Sequence, residues 1–330
     1  MADLRVLVVG GGSWGTTVAH LAAQNGPTTI WARDPGTVEA INERHRNERY
    51  LADYELHPGL VATGDLMQAV ADTDVLVMGV PTGAFRQTCE EIADHLRPWV
   101  PVVSLAKGFE PETRLRMTQI AEEILPGRPV GVLTGPNLAK EILAGQPAGA
   151  VVALTEEHIA RRLQTVFSTP TFRVFIHHDV VGCELGGALK NVYAIAAGAV
   201  EGRELGDNAR SAVITRGLAE LIELGSAMGG EALTLAGLAG MGDLLATCIS
   251  HQSRNSRVGR ELGAGRTIDD ILAGMDQVAE GVKAAKVVQE LARAHDVFMP
   301  IANHVHAICW EGMTPDFAEE SLLRGRLGHE

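Results

Sequence analysis

The sequence is short of positive charge: 28 lysines and arginines face 41 aspartates and glutamates, for a formal net charge of −13. Phosphate backbones are gripped by clustered Lys and Arg, so this balance excludes nucleic acid as the main partner. A small anion met by a few local cations remains open. Cysteine is scarce as well. Cys89, Cys183, Cys248 and Cys309 are the four present, without CxxC or other metal-binding spacing, and read as reduced core thiols. No run of roughly 18 apolar residues occurs, and no charged-then-apolar leader precedes the first strand signal, so the expectations are no stable membrane insertion and a cytoplasmic location. Repeats, low-complexity tracts and a Pro/Ser linker are also missing. His177-His178-Asp179 and His304-x-His306 have no third ligand at a recognisable spacing, so no metal is expected.

What is there is a chain of 330 residues with 46% hydrophobic and 21% charged residues. Single cores stop growing near ~250–300 residues, so two domains are expected. The N-terminal half alternates short β-branched runs with helical spacing. Strands are predicted at Arg5–Val9, Thr28–Ala32, Asp74–Val80, Val100–Leu105, Val130–Leu133, Gly149–Leu154 and Thr171–Ile176, and helices over Thr16–Gln24, Phe85–Leu96 and Arg114–Ile124. Runs apolar on both faces, alternating with helices, imply a largely parallel sheet covered on both sides. Past Val181 the strand signals stop, and Ala-, Gly- and Leu-rich helical stretches such as "ARSAVITRGLAELIELGSAMG" take over. The boundary is set at 183/184.

The first strand runs directly into Gly10-Gly11-Gly12-Ser13-Trp14-Gly15, where Gly10, Gly12 and Gly15 form G-x-G-x-x-G at the start of a helix. The first glycine allows the tight turn, the second lets backbone approach a pyrophosphate, and the third lets helix pack on strand. The helix N-terminus adds unpaired N–H groups and the positive end of the dipole. Residues 1–183 are therefore expected to form an α/β, Rossmann-type NAD(P)-binding domain, and residues 184–330 an all-α domain. At the end of the second strand, Arg33 suits a 2′-phosphate and points to NADP(H), while the adjacent Asp34 keeps NAD(H) open.

Further along stand "GGGSWGTTVA" (10–19), "SLAKGFE" (104–110), "LTGPNLAKE" (133–141), "ELGGALKNVYAIAAG" (184–198), "GDNARSAVITRGLAE" (206–220), "GLAGMGDLLATC" (237–248) and "SRNSRVG" (253–259). In this order they resemble the bacterial NAD(P)-dependent sn-glycerol-3-phosphate dehydrogenases. The resemblance implies a two-domain enzyme that interconverts dihydroxyacetone phosphate and sn-glycerol 3-phosphate, chiefly to supply phospholipid synthesis. It carries cofactor contacts to Ser13, Trp14, Arg33, Lys107, Ala139, Arg254, Val278 and Glu280. It carries substrate contacts to Lys107, Gly135, Asn137, Lys190, Asp243, Ser253, Arg254 and Asn255, with Lys190 as the catalytic lysine. Asn137 departs from the serine or threonine usual in that turn, although a carboxamide also donates and accepts.

The residue types suit those roles. Reducing a ketone requires a proton donor at its oxygen, and Gly186, Gly187 and Ala194 on the Lys190 face let backbone pack closely around the amine. Taken alone, a lysine on such a helix equally well snorkels to solvent. Asp243 near an ammonium fixes its direction, yet Gly-Asp before an apolar run is also a good helix N-cap. The Arg254 guanidinium matches a phosphate with paired, charge-assisted hydrogen bonds. Two readings stand beside the dehydrogenase: a related two-domain enzyme for another small anionic substrate, and a dinucleotide sensor without turnover. A homodimer is the default expectation for a soluble enzyme.

Overall fold

Strand β1 (Val6–Val9) is buried along its whole length, with Val6 and Val8 turned into one hydrophobic cluster and Leu7 and Val9 into another. That alternation places helices on both faces of a central strand. The structure, a computed structural model, describes residues 4–275 and 279–316. It divides between Glu184 and Leu185 into two units.

The first unit holds an eight-stranded sheet in the order β3-β2-β1-β4-β5-β6-β7-β8. Its other strands are β2 (Thr28–Trp31), β3 (Leu60–Thr63), β4 (Val75–Met78), β5 (Val102–Ser104), β6 (Val130–Thr134), β7 (Ala148–Ala153) and β8 (Phe172–His177). All neighbouring pairs are parallel except β6 and β7. One face is covered by α1 (Ser13–Ala23), α2 (Pro35–Arg44), α6 (Ala139–Leu143) and α7 (Glu157–Phe167), the other by α3 (Leu66–Asp72), α4 (Thr82–Ile92) and α5 (Met117–Ile124).

Two local expectations need correction. β3 went unpredicted because it is a four-residue edge strand in which only Leu60 and Ala62 turn inward while Val61 is 54% exposed. The predicted helix from Arg114 starts instead at Met117, since Arg114 takes a left-handed φ of 62° that no α-helix continues. The entrance to α5 is held by Glu184, whose buried carboxylate accepts from the Thr118 N–H at 3.0 Å and pairs with Arg116 at 2.7 Å.

The division falls within α8 (Val180–Gly202), after which the second unit is helical. It continues through α9 (Gly206–Ala227), α10 (Ala232–Leu235), a π turn (Leu238–Gly242), α11 (Asp243–Ile249), α12 (Arg254–Gly263), α13 (Ile268–Ala273), α14 (Glu280–Ala294) and α15 (Pro300–Trp310). Buried Glu220 of α9 caps α15 by accepting from the Ile301 and Ala302 N–H groups at 2.8 and 3.1 Å. Burial pushes its carboxyl up to about 7 against the pull of those two donors. The stretch Ala232–Ile249 is apolar enough in composition to span a membrane, with mean hydropathy 1.6. It is nevertheless broken by the turn after Leu235 and by the π turn, and it carries Asp243, so it forms no continuous spanning helix. All four cysteines are free and buried, and burial pushes Cys89, Cys248 and Cys309 up to about 12, which leaves them inert.

Candidate functional site

The strand order reverses where β1 meets β2 on one side and β4 on the other, the switch point at which open α/β sheets leave a crevice. Gly10 ends β1 there with φ 124°, and a Cβ on it would come within 2.6 Å of Gly79 O. A Cβ on Gly15 would overlap the Gly10 carbonyl. These two glycines are demanded by the protein's own packing. Gly12 is not: a Cβ there would meet nothing within 4 Å, so this residue keeps open space above the turn. The N–H groups that open α1 face that end of the sheet without intrahelical partners. Ser13 is the first residue of α1, and the indole N–H of Trp14 is buried without a hydrogen-bond partner. The chemistry of this cradle fits a dinucleotide pyrophosphate.

At the end of β2, Arg33 is exposed. Its neighbour Asp34 caps α2, and one carboxylate oxygen accepts from both the Thr37 N–H and the Thr37 hydroxyl at 2.8 Å. Those bonds hold the Asp34 carboxyl below the usual carboxylate range. Past β5, the Lys107 ammonium donates to the Gly135 carbonyl at 2.9 Å, so two of the sequence-predicted residues meet directly. In the same turn after β6, both polar atoms of Asn137 and the Thr134 hydroxyl are buried without partners. Ala139 opens α6.

In the second unit Lys190 is 6% exposed and does not snorkel. Its ammonium lies 2.7 Å from Asp243 Oδ1 and also donates to the Thr247 hydroxyl. Thr247 in turn donates to the Asp243 backbone carbonyl at 2.7 Å. Gly186, one turn before the lysine, lets α8 pack on the π turn so closely that a Cβ would come within 2.7 Å of Ala239 O. Asp243 is the first residue of α11 and Gly242 occupies the cap position, so its carboxylate sits in the first turn while forming the ion pair. Breaking such a buried pair leaves an uncompensated charge, at a cost of about 3–5 kcal/mol.

Ser253 caps α12 by accepting from the Ser256 N–H at 3.1 Å, and Arg254 follows as its first, exposed residue. Buried Asn255 donates to Asn191 Oδ1 and accepts from the Gly281 N–H, both at 2.9 Å. Glu280 opens α14, while Val278 lies outside the described residues. Among the described residues no group of three or more His, Cys, Asp or Glu is placed to hold a metal. Sequence reasoning missed Thr247 and Asn191. Thr247 stands four residues after Asp243, a helical spacing that would have found it, whereas Asn191 carries no local signal beyond following Lys190.

A glycine cradle at the switch point of a parallel sheet, joined to a helical unit that buries a lysine against an aspartate, defines a nicotinamide-nucleotide-dependent oxidoreductase. Comparison with known proteins narrows the class. The profile of the NAD-dependent glycerol-3-phosphate dehydrogenase N-terminus matches residues 5–160, and that of its C-terminus residues 179–320. The chain belongs to this family. It is 53% identical to glycerol-3-phosphate dehydrogenase [NAD(P)+] 2 of Sphingopyxis alaskensis, over 99% of this chain and 98% of that one. It is 52% identical to glycerol-3-phosphate dehydrogenase [NAD(P)+] of Mycobacterium avium, over 100% and 97%. The crystal structure of glycerol-3-phosphate dehydrogenase from Coxiella burnetii superposes with a TM-score of 0.92 at 33% identity, covering 98% of this chain and 99% of that one.

Proposed function

We propose that the protein reduces dihydroxyacetone phosphate to sn-glycerol 3-phosphate, and runs the reverse reaction, in the cytoplasm to supply glycerophospholipid synthesis. The observation that carries this reading is the buried Lys190–Asp243 pair, in a chain related over its whole length to enzymes named for this activity. A nicotinamide nucleotide bound in the glycine cradle would supply the hydride. An ammonium has three N–H donors, and those of Lys190 are directed by Asp243 Oδ1 and the Thr247 hydroxyl, which leaves the third for the substrate. Lys190 gives its proton to the C2 oxygen as the C2 carbon accepts hydride, so the ketone becomes a secondary alcohol. In the reverse direction the neutral amine takes that proton back.

Arg254 and Asn255 bind the substrate phosphate with Ser253, and Lys107, Gly135 and Asn137 hold the rest of the molecule. Support for Asn137 comes from its two buried, unpaired polar atoms, since buried polar groups that lack a protein partner await one. Gly10, Gly12, Ser13, Trp14 and Gly15 receive the dinucleotide phosphates. Ala139 and Glu280 complete its contacts. The direct test is loss of absorbance at 340 nm when the purified protein, NADPH and dihydroxyacetone phosphate are mixed. Equal loss without the phosphate on the substrate points to a different dehydrogenase, and binding without turnover to a sensor.

Arg33 reads the 2′-phosphate of NADPH, because Asp34 is engaged in capping α2. A hydrogen bond to a charged group contributes about 1.5–3 kcal/mol, so Arg33→Asp is expected to raise the NADPH dissociation constant by roughly 10–200-fold. NADH should change far less. Titrating both cofactors into the variant checks this, and equal losses remove Arg33 from the 2′-phosphate site.

A further inference from the structure

Asn47 is fully buried in the segment after α2. Its side-chain nitrogen donates to two acceptors 2.8 Å away: the Gly11 carbonyl, inside the G-x-G-x-x-G turn, and the Thr16 hydroxyl on α1. Both of its amide protons are thereby used. Its own oxygen is buried and accepts nothing. A buried acceptor left without a partner costs about 1–3 kcal/mol, so this side chain is a poor device for stability alone.

The bond to Gly11 has a consequence one atom along the chain. The Gly11 carbonyl and the Gly12 N–H belong to one peptide group, which is planar and trans, so the two point in opposite directions. With its oxygen held inward by Asn47, that peptide aims the Gly12 N–H outward. Gly12 itself is uncrowded, with nothing within 4 Å of a Cβ position. A glycine peptide without this tether has unusual freedom to rotate. We propose that Asn47 is a positioning residue for cofactor binding, which sets the Gly11–Gly12 peptide so that its N–H is already directed at the pyrophosphate.

The inference rests on the reading of this turn as the dinucleotide site, and deepens it. Fully buried, Asn47 acts through this peptide and not on the ligand itself. It removes the cost of orienting the peptide when the anion arrives, which is how preorganisation raises affinity.

The test compares two ligands by calorimetric titration: NADPH, which has the pyrophosphate, and adenosine 2′-monophosphate, which keeps the adenosine and the 2′-phosphate but lacks it. For Asn47→Ala, NADPH is expected to bind roughly 10–50-fold more weakly, while adenosine 2′-monophosphate changes less than about 2-fold. Asn47→Asp, which keeps the volume but turns the donor into an acceptor facing the Gly11 oxygen, should bind NADPH more weakly still. NADPH affinity unchanged in a folded Asn47→Ala protein overturns the proposal, as does an equal loss for both ligands, which would mean general distortion of the unit. Wild-type protein that fails to bind NADPH fails the underlying reading instead. If neither variant folds, isotope-labelled wild type decides. Inorganic pyrophosphate must then shift the Gly12 amide resonance while the Asn47 side-chain protons exchange slowly, and Asn47 protons exchanging at the solvent rate refute the assignment.

Discussion

Lys190→Ala is expected to lower turnover by roughly 10²–10⁴, the range for removing a positioned general acid, while NADPH affinity stays close to wild type. The ammonium lies 2.7 Å from Asp243 Oδ1 and bonds to the Thr247 hydroxyl, so its position is fixed before any substrate arrives. Removing it also takes the ammonium away from the Asp243 carboxylate, which is only 2% exposed, and the single variant should lose up to about 3–5 kcal/mol of stability on that account. Stability and chemistry can be separated. Replacing both partners, Lys190→Ala with Asp243→Ala, removes the buried carboxylate as well and should recover part of the lost melting temperature without recovering turnover. Single-turnover rates and thermal melts on the two variants check both halves. Near-normal turnover in folded Lys190→Ala places the proton donor elsewhere.

The pair shows where sequence reading succeeds and where it stops. Gly10, Gly12 and Gly15 were legible as a motif because a strand, a turn and a helix follow one another there, although packing demands a glycine only at Gly10 and Gly15. The central strands were legible for a similar reason, since a strand such as β4 is buried on both faces and its sequence is apolar throughout. β3 was not, because an edge strand with one face exposed carries half the signal. Lys190 alone was ambiguous between catalysis and snorkelling. The resemblance put Asp243, 53 positions away by numbering, in the same site, and the fold adds that its carboxylate lies 2.7 Å from the ammonium. Asn47 was illegible: its partner Gly11 lies 36 residues earlier, and nothing near Asn47 marks it. Local physics writes local elements into a sequence; contacts between distant elements appear only after folding.

The Arg254→Ala variant is expected to lose roughly 10–200-fold in kcat/KM for dihydroxyacetone phosphate, because a three-carbon substrate has little apolar surface and must be gripped by its anion. The chain carries a formal net charge of −13, so a local cation such as Arg254 would be the means of attracting a phosphate. Arg254 begins the ten-residue helix α12, whose N-terminal N–H groups and dipole favour an anion in the same place. The adjacent Asn255 is already oriented: its oxygen accepts from Gly281, and one of its two N–H donors is spent on Asn191, so the other could meet an anion at this helix start. The guanidinium lies outside the Lys190–Asp243 pair, so its loss should leave the proton-transfer machinery intact. Unphosphorylated dihydroxyacetone, poor as it is, should therefore react with the variant as slowly as with wild type. Rates for both substrates on both proteins decide the role: a large loss confined to the phosphorylated ketone identifies Arg254 as the phosphate clamp, whereas the same fractional loss on both substrates assigns it to the cofactor or to the fold.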